Sequence, residues 1–175
     1  MPGPKIRIGR FDREPIRLKA GDLFSLTTEA VVGDQNRVSV SFDTLPTAVV
    51  PGDIIFLNDG FIQLQVVEIA APAVRCRVLV GGELRSRKGL NLPGIHLGRS
   101  AFTARDRECL VFAIQQGVDA VSQSFVESAD DLAAVREVAA GCGRQPFLIA
   151  KIERAGALEA FDAILEAADG IMVAR

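Results

Sequence analysis

Residues 145–175, QPFLIAKIERAGALEAFDAILEAADGIMVAR, run from a short apolar segment (Phe147 to Ile152) through a helix-forming stretch (about Leu158 to Ala167) to a second apolar segment (Ile171 to Ala174). Strand, helix and strand in that order make a βαβ unit, whose crossover sets its two strands parallel in one sheet. Upstream the pattern continues. Ala120 to Phe125 reads as another strand, and Thr103 caps a helix to about Gln116 that stops at Gly117. Ser128 with Asp131 forms a capping box for a helix with a Leu132, Val135 and Val138 stripe, ending near Gly141. About three parallel strands with helical crossovers fit part of a (β/α)8 barrel or of a doubly wound sheet.

Lys151 and Glu153 stand two residues apart at the carboxyl end of the second strand. Side chains alternate across a strand, so both point to one side, at the end where α/β folds place their chemistry. Two readings fit the pair. In one, Glu153 offers hard oxygens suited to Mg²⁺ and Lys151 a compact positive charge for a developing phosphoryl or enolate anion. In the other, the two form a salt bridge that closes the strand end.

The chain before this region has a different rhythm. From about Ile6 to Arg87 short apolar or alternating runs recur between turn signals: RVSVSF (37–42), DIIFL (53–57), FIQLQVVEI (61–69) and VRCRVLV (74–80). Pro51-Gly52-Asp53, Asn58-Asp59-Gly60 and Gly81-Gly82 supply turn residues, two of the three with types that tolerate positive φ. The strict alternation of Val74, Cys76 and Val78 with Arg75 and Arg77 predicts one buried and one wet face. A small all-β barrel or sandwich is expected over residues 1–95, followed by the α/β region over 96–175.

Composition narrows the classes. The 175 residues are 49% hydrophobic and 24% charged, enough to bury a core, and the formal net charge of −2 argues against a nucleic-acid or anionic-membrane surface. MPGPKIRIGRFDREPIR at the start lacks an apolar signal core, and no later run reaches the roughly 18 apolar residues of a membrane span, so a cytoplasmic protein is expected. Cys76, Cys109 and Cys142 are odd in number and far apart, which points to buried thiols rather than disulfides or a zinc site. His96 is the single histidine, a poor basis for a Ser-His-Asp site.

QGVDAVSQSFVESADDLAAVREV (116–138) and LIAKIERAGALEAFDAILEAADGIMVAR (148–175) together resemble the central barrel of the pyruvate kinase family, whose segments read D-x-V-x-x-S-F, K-I-E-N and D-G-I-M-V-A-R-G-D-L-G. GPKIRIG (3–9) resembles that family's G-P-E-I-R-T-G, LNDGFIQLQV (57–66) its D-D-G-L-I-x-L-x-V, and RSRKGLNLPG (85–94) its S-x-K-K-G-V-N-L-P-G. Order and spacing agree over nearly the whole chain.

The resemblance implies a small β-barrel lid domain followed by a partial (β/α)8 barrel, and transfer of a phosphoryl group from phosphoenolpyruvate to ADP with Mg²⁺ (or Mn²⁺) and usually K⁺. It implies that Lys151 steadies the transferring group and the enolate and that Glu153 is one of two carboxylate metal ligands. Arg7 and Lys88 would contact nucleotide, with Asp59 in a loop facing the cleft, and Ser124, Phe125 and Arg175 would shape the substrate pocket. Arg7 and Lys88 taken alone also fit solvated surface charge, and Phe125 equally fits a core residue. The chain departs from the pattern at Lys5 (Glu in the family), Gln123 (a small residue) and Arg154 (Asn). The family's K⁺-binding Asp-Thr pair and early strands precede its G-P-x-I-R, and the second metal ligand follows its M-V-A-R. The chain is therefore expected to be a piece with negligible turnover alone, one that self-associates or needs the rest of the barrel. The alternative is a non-catalytic truncated relative, acting as a nucleotide-binding or interaction module.

Overall fold

Val74, Cys76 and Val78 are buried while Arg75 and Arg77 between them are exposed, so the alternation in this run sorts one strand face into a core. The computed structural model describes residues 1–93 and 100–174. They divide into two compact units, Lys5–Leu97 and Met1–Pro4 with Gly98–Arg175. The first four residues thus pack with the later part of the chain.

The Lys5–Leu97 unit contains β1 (Ile16–Leu18), β2 (Leu23–Thr27), β3 (Arg37–Ser39), a one-turn α1 (Leu45–Ala48), β4 (Ile54–Leu57), β5 (Ile62–Ala70), β6 (Ala73–Val80), β7 (Gly82–Leu84) and β8 (Leu90–Asn91). Among the described residues six strands form a mixed sheet in the order β3-β2-β6-β5-β4-β8, and β1 pairs with β7. The segment around Ile6–Gly9 reaches both outer strands. Leu90 N–H donates to the Ile6 carbonyl at 2.9 Å on one side, and Gly9 N–H to the Ser39 carbonyl at 2.7 Å on the other. The sheet curls around a core that includes Phe24, Leu26, Ile55, Leu57, Ile62 and Leu64. Asn58 and Asp59 adopt φ of 52° and 57° in the β4–β5 turn, the left-handed conformation that their short polar side chains tolerate. The run 37–42 is a strand only over Arg37–Ser39, with Val40 in a single bridge to Ile8.

The second unit contains α2 (Ala104–Gln115), β9 (Ala120–Gln123), α3 (Ala129–Gly141), β10 (Phe147–Ile152), a 3-10 turn (Ala155–Leu158), α4 (Phe161–Ala167) and β11 (Gly170–Val173). Among the described residues its three strands are parallel, with β10 between β11 and β9. Both capping boxes form. Thr103 Oγ1 accepts from Asp106 N–H at 3.1 Å while Asp106 Oδ2 accepts from Thr103 N–H at 2.9 Å, and Ser128 with Asp131 repeats the arrangement. Leu110, Leu132, Val135, Leu148, Ala150 and Ile164 join helices and sheet in one core. The last helix begins at Phe161 rather than near Leu158, because Ala155–Leu158 wind more tightly into the 3-10 turn. β9 ends at Gln123 rather than Phe125, because Phe125 swings to φ 61°.

The expectation of three buried thiols holds for Cys76 alone. Cys109 is half-buried, and Cys142 is exposed because it caps the end of α3, where the chain leaves the core. No helix among the described residues is long and apolar enough to cross a membrane. His96 and Arg175 lie outside the described residues.

Candidate active site

β10 brings Lys151 to its carboxyl end, and one step beyond the strand Glu153 emerges on the same side. Lys151 Nζ lies 2.9 Å from Glu153 Oε1, and it also donates to Ser124 Oγ at 2.8 Å. The side chains of Lys151 and Glu153 retain only 21% and 13% of their exposure, so the pair sits in a partly desolvated setting where charge acts more strongly than in water. Ser124 is buried just past the end of β9, the strand paired with β10. The two strand ends therefore supply an ammonium, a hydroxyl and a carboxylate to one spot.

The other carboxylate oxygen is also held. Glu153 Oε2 accepts the backbone N–H of Phe125 at 2.9 Å. Phe125 can aim that N–H because its backbone is left-handed, a conformation uncommon outside glycine and asparagine. Its ring lies 5.6 Å from the Arg154 guanidinium, which in turn pairs with Glu127 at 3.0 Å. Behind the turn, Gln123 donates to the carbonyls of Ala101 (2.7 Å) and Ser124 (3.0 Å), tying the end of β9 to the entry of α2. Gly3 completes the shell: a Cβ there would stand 2.8 Å from the Ser124 carbonyl oxygen and 3.0 Å from the Phe125 ring.

The residues read from sequence in the Lys5–Leu97 unit lie near one another in the backbone of that unit. Arg7 bridges to Gly89, the Lys88 carbonyl accepts Ile8 N–H at 3.0 Å, and Asn58 N–H, next to Asp59, donates to the Gly89 carbonyl at 3.1 Å. Arg7, Lys88 and the Asp59 turn thus neighbour one another around Gly89. The Arg7 guanidinium donates to the Arg87 carbonyl at 2.8 Å, and Asp59 is exposed at the turn tip. Glu127 and Asp131 are site-forming residues that periodicity singles out only as helix-start residues or not at all. Asp131 Oδ1 accepts from Ser100 Oγ (3.0 Å) and Ala101 N–H (2.8 Å), and its Oδ2 from Glu127 N–H (3.0 Å), so one cap organises two loops.

For a divalent cation, Glu153 is the carboxylate at the strand end. Among the described residues no group of three or more His, Cys, Asp or Glu side chains is gathered to hold a metal. Glu153 offers hard oxygens of the kind Mg²⁺ takes, and both already meet protein donors, Lys151 Nζ and Phe125 N–H.

Over residues 1–175 the chain matches the family model described as pyruvate kinase, barrel domain. The pyruvate kinase of Thermococcus litoralis is 45% identical over 175 residues, which is 100% of this chain and 37% of that protein. Pyruvate kinase 2 of Synechocystis sp. is 41% identical over 179 residues (100% of this chain, 30% of the relative), and the Thermotoga maritima pyruvate kinase 39% identical over 175 residues (100% and 38%). The chain spans less than two fifths of the length of each of these relatives.

Proposed function

Because the chain belongs to the pyruvate kinase family, we propose that it carries part of the machinery that moves a phosphoryl group from phosphoenolpyruvate to ADP. The observation that carries this reading is the position of Lys151 Nζ, between Ser124 Oγ at 2.8 Å and Glu153 Oε1 at 2.9 Å. Phosphoryl transfer is catalysed mainly by positioning and charge neutralisation, and a fixed ammonium supplies both without rearranging during reaction. Lys151 faces the oxygens on which charge grows, and Ser124 keeps its long side chain from sampling other rotamers. Glu153 serves as one oxygen ligand of Mg²⁺ or Mn²⁺, with Phe125 N–H fixing the carboxylate plane. When bound, the cation neutralises charge on the phosphoryl oxygens.

In this reading the Lys5–Leu97 unit is the lid domain and the parallel-sheet unit is part of a (β/α)8 barrel. Arg7, Lys88 and Asp59, gathered around Gly89, contact the nucleotide, and Ser124, Phe125 and Arg175 shape the substrate pocket. K⁺ has no assigned ligand in this chain. The apolar side chains of Phe147, Met172 and Val173, respectively 51%, 44% and 81% exposed, favour self-association or a partner that completes the sheet.

A second reading, a non-catalytic nucleotide-binding or interaction module, is favoured by the engagement of both Glu153 oxygens with protein donors. Pyruvate formation from phosphoenolpyruvate and ADP separates the two. It is measured on the chain and on the longest product of its reading frame. Mg²⁺-dependent pyruvate formation that disappears in a Lys151→Met variant supports the phosphotransferase. A rate that survives that substitution sinks the role given to Lys151, and a longer product that forms no pyruvate favours the module.

A further inference from the structure

We propose that Arg154 is a positioning residue: anchored on Glu127 and packed over the Phe125 ring, it holds the turn after β9 in the left-handed conformation that aims Phe125 N–H at Glu153. The chain of contacts is continuous. Arg154 Nη1 lies 3.0 Å from Glu127 Oε1, its guanidinium carbon 5.6 Å from the Phe125 ring centre, and Phe125 N–H 2.9 Å from Glu153 Oε2.

Three features separate this arrangement from an incidental surface pair. The Arg154 side chain is only 12% exposed. Its Nε is buried with no hydrogen-bond partner among the described residues, a costly state that the contacts with Glu127 and Phe125 must offset. Phe125 at φ 61° would relax toward the ordinary right-handed or extended regions unless its surroundings held it, since left-handed backbone is unfavourable for a residue with a Cβ. The planar guanidinium can stack on a ring and fork to a carboxylate at once, which a lysine ammonium cannot do equally well.

The consequence lies in Glu153. With Lys151 on one oxygen and Phe125 N–H on the other, its carboxylate has a single orientation. Releasing Phe125 leaves Oε2 free to rotate, and any cation held there is held less tightly. Arg154 touches neither of the two reacting partners in this account and acts through Phe125. The inference rests on the phosphotransferase reading only for what Glu153 binds; the Arg154–Phe125–Glu153 coupling stands on geometry alone.

The test uses the 175-residue chain with Arg154→Met, Arg154→Lys and Glu127→Gln, read by amide exchange and by the Phe125 amide proton shift in NMR spectra. An N–H donating to a carboxylate resonates downfield, so loosening it moves the signal upfield. Arg154→Met is expected to speed Phe125 exchange about tenfold, the scale of a partly buried cation–ring contact, while Leu148 and Ala150 amides in β10 are unchanged. Arg154→Lys restores part of the protection. Should Arg154→Met fail to fold, Glu127→Gln, which keeps the arginine and loosens its anchor, decides with the same expected change at Phe125. Unchanged Phe125 exchange and shift overturn the proposal, as does a uniform rise in exchange across β10. Mn²⁺ titration by electron paramagnetic resonance forms a separate arm. Several-fold weaker binding in Arg154→Met extends the coupling to the metal, whereas no Mn²⁺ binding by the unmodified chain counts against the phosphotransferase reading and leaves the Phe125 readout to judge the positioning role.

Discussion

Lys151 and Ser124 are 27 positions apart in the chain and 2.8 Å apart at Nζ and Oγ, whereas Lys151 and Glu153, two positions apart, meet at 2.9 Å. The second contact follows from strand alternation; the first requires β9 and β10 to pair in the observed register, Ala150 opposite Gln123. Together they fix the ammonium from two sides. In any catalytically active form, Lys151→Met is expected to lower kcat by about 100- to 1,000-fold, the usual effect of deleting one preorganised electrostatic group. Steady-state kinetics with phosphoenolpyruvate and ADP check this, and KM should move far less.

Gly3 stands at φ 66°, with the Ser124 carbonyl oxygen 2.8 Å and the Phe125 ring 3.0 Å from where a Cβ would sit. Gly3→Ala combines left-handed strain with a clash against backbone. A loss of about 1–3 kcal/mol is expected, read as a lower urea midpoint with an unchanged slope. Gly21, whose φ is 93° with no atom within 4 Å of a built Cβ, provides a control in which the strain acts without the clash.

Asp131 caps α3 and also holds Ser100, Ala101 and Glu127, all from a buried carboxylate. Asp131→Ala leaves the Ser100 hydroxyl and the Ala101 and Glu127 N–H groups without their acceptor and breaks the capping box with Ser128, for an expected cost of about 2–4 kcal/mol. Asp131→Asn, which retains an acceptor oxygen, should cost less. Chemical denaturation distinguishes the two.

Asp169 accepts Leu148 N–H at 2.8 Å and pairs with Arg136 at 3.1 Å. The backbone hydrogen bond first, and the arginine second, hold its carboxyl below the ordinary value of 3.8. A carboxyl depressed in the folded state contributes stability that is present above the unfolded value and lost as the pH falls through the folded one. Stability is therefore expected to drop below about pH 4, and Asp169→Asn should flatten that acid limb. Thermal unfolding between pH 2.5 and 6 measures it.

Burial pushes the Cys76 thiol up to about 12, so it holds almost no thiolate at neutral pH. Cys142 is exposed and Cys109 half-buried. Maleimide labelling at pH 7.5 followed by peptide mass spectrometry is expected to modify Cys142 first, then Cys109, and Cys76 only after denaturation. Labelling of Cys76 at the Cys142 rate would contradict the packing of β6.

Local rules were enough for much of this protein. The two capping boxes, the Asn58-Asp59-Gly60 turn, the alternating face of β6 and the succession of strands and helices after Thr103 each depend on residues a few positions apart, and periodicity records such relations directly. Strands of two or three residues, such as β3 and β8, carry too few alternations to be bounded that way. The placement of Met1–Pro4 with the second unit, the gathering of Arg7, Lys88 and the Asp59 turn around Gly89, and the path from Glu127 through Arg154 and Phe125 to Glu153 came only from the folded chain. Each joins segments tens of residues apart through strand register and one left-handed residue, and no local pattern encodes which distant side chain a turn will meet.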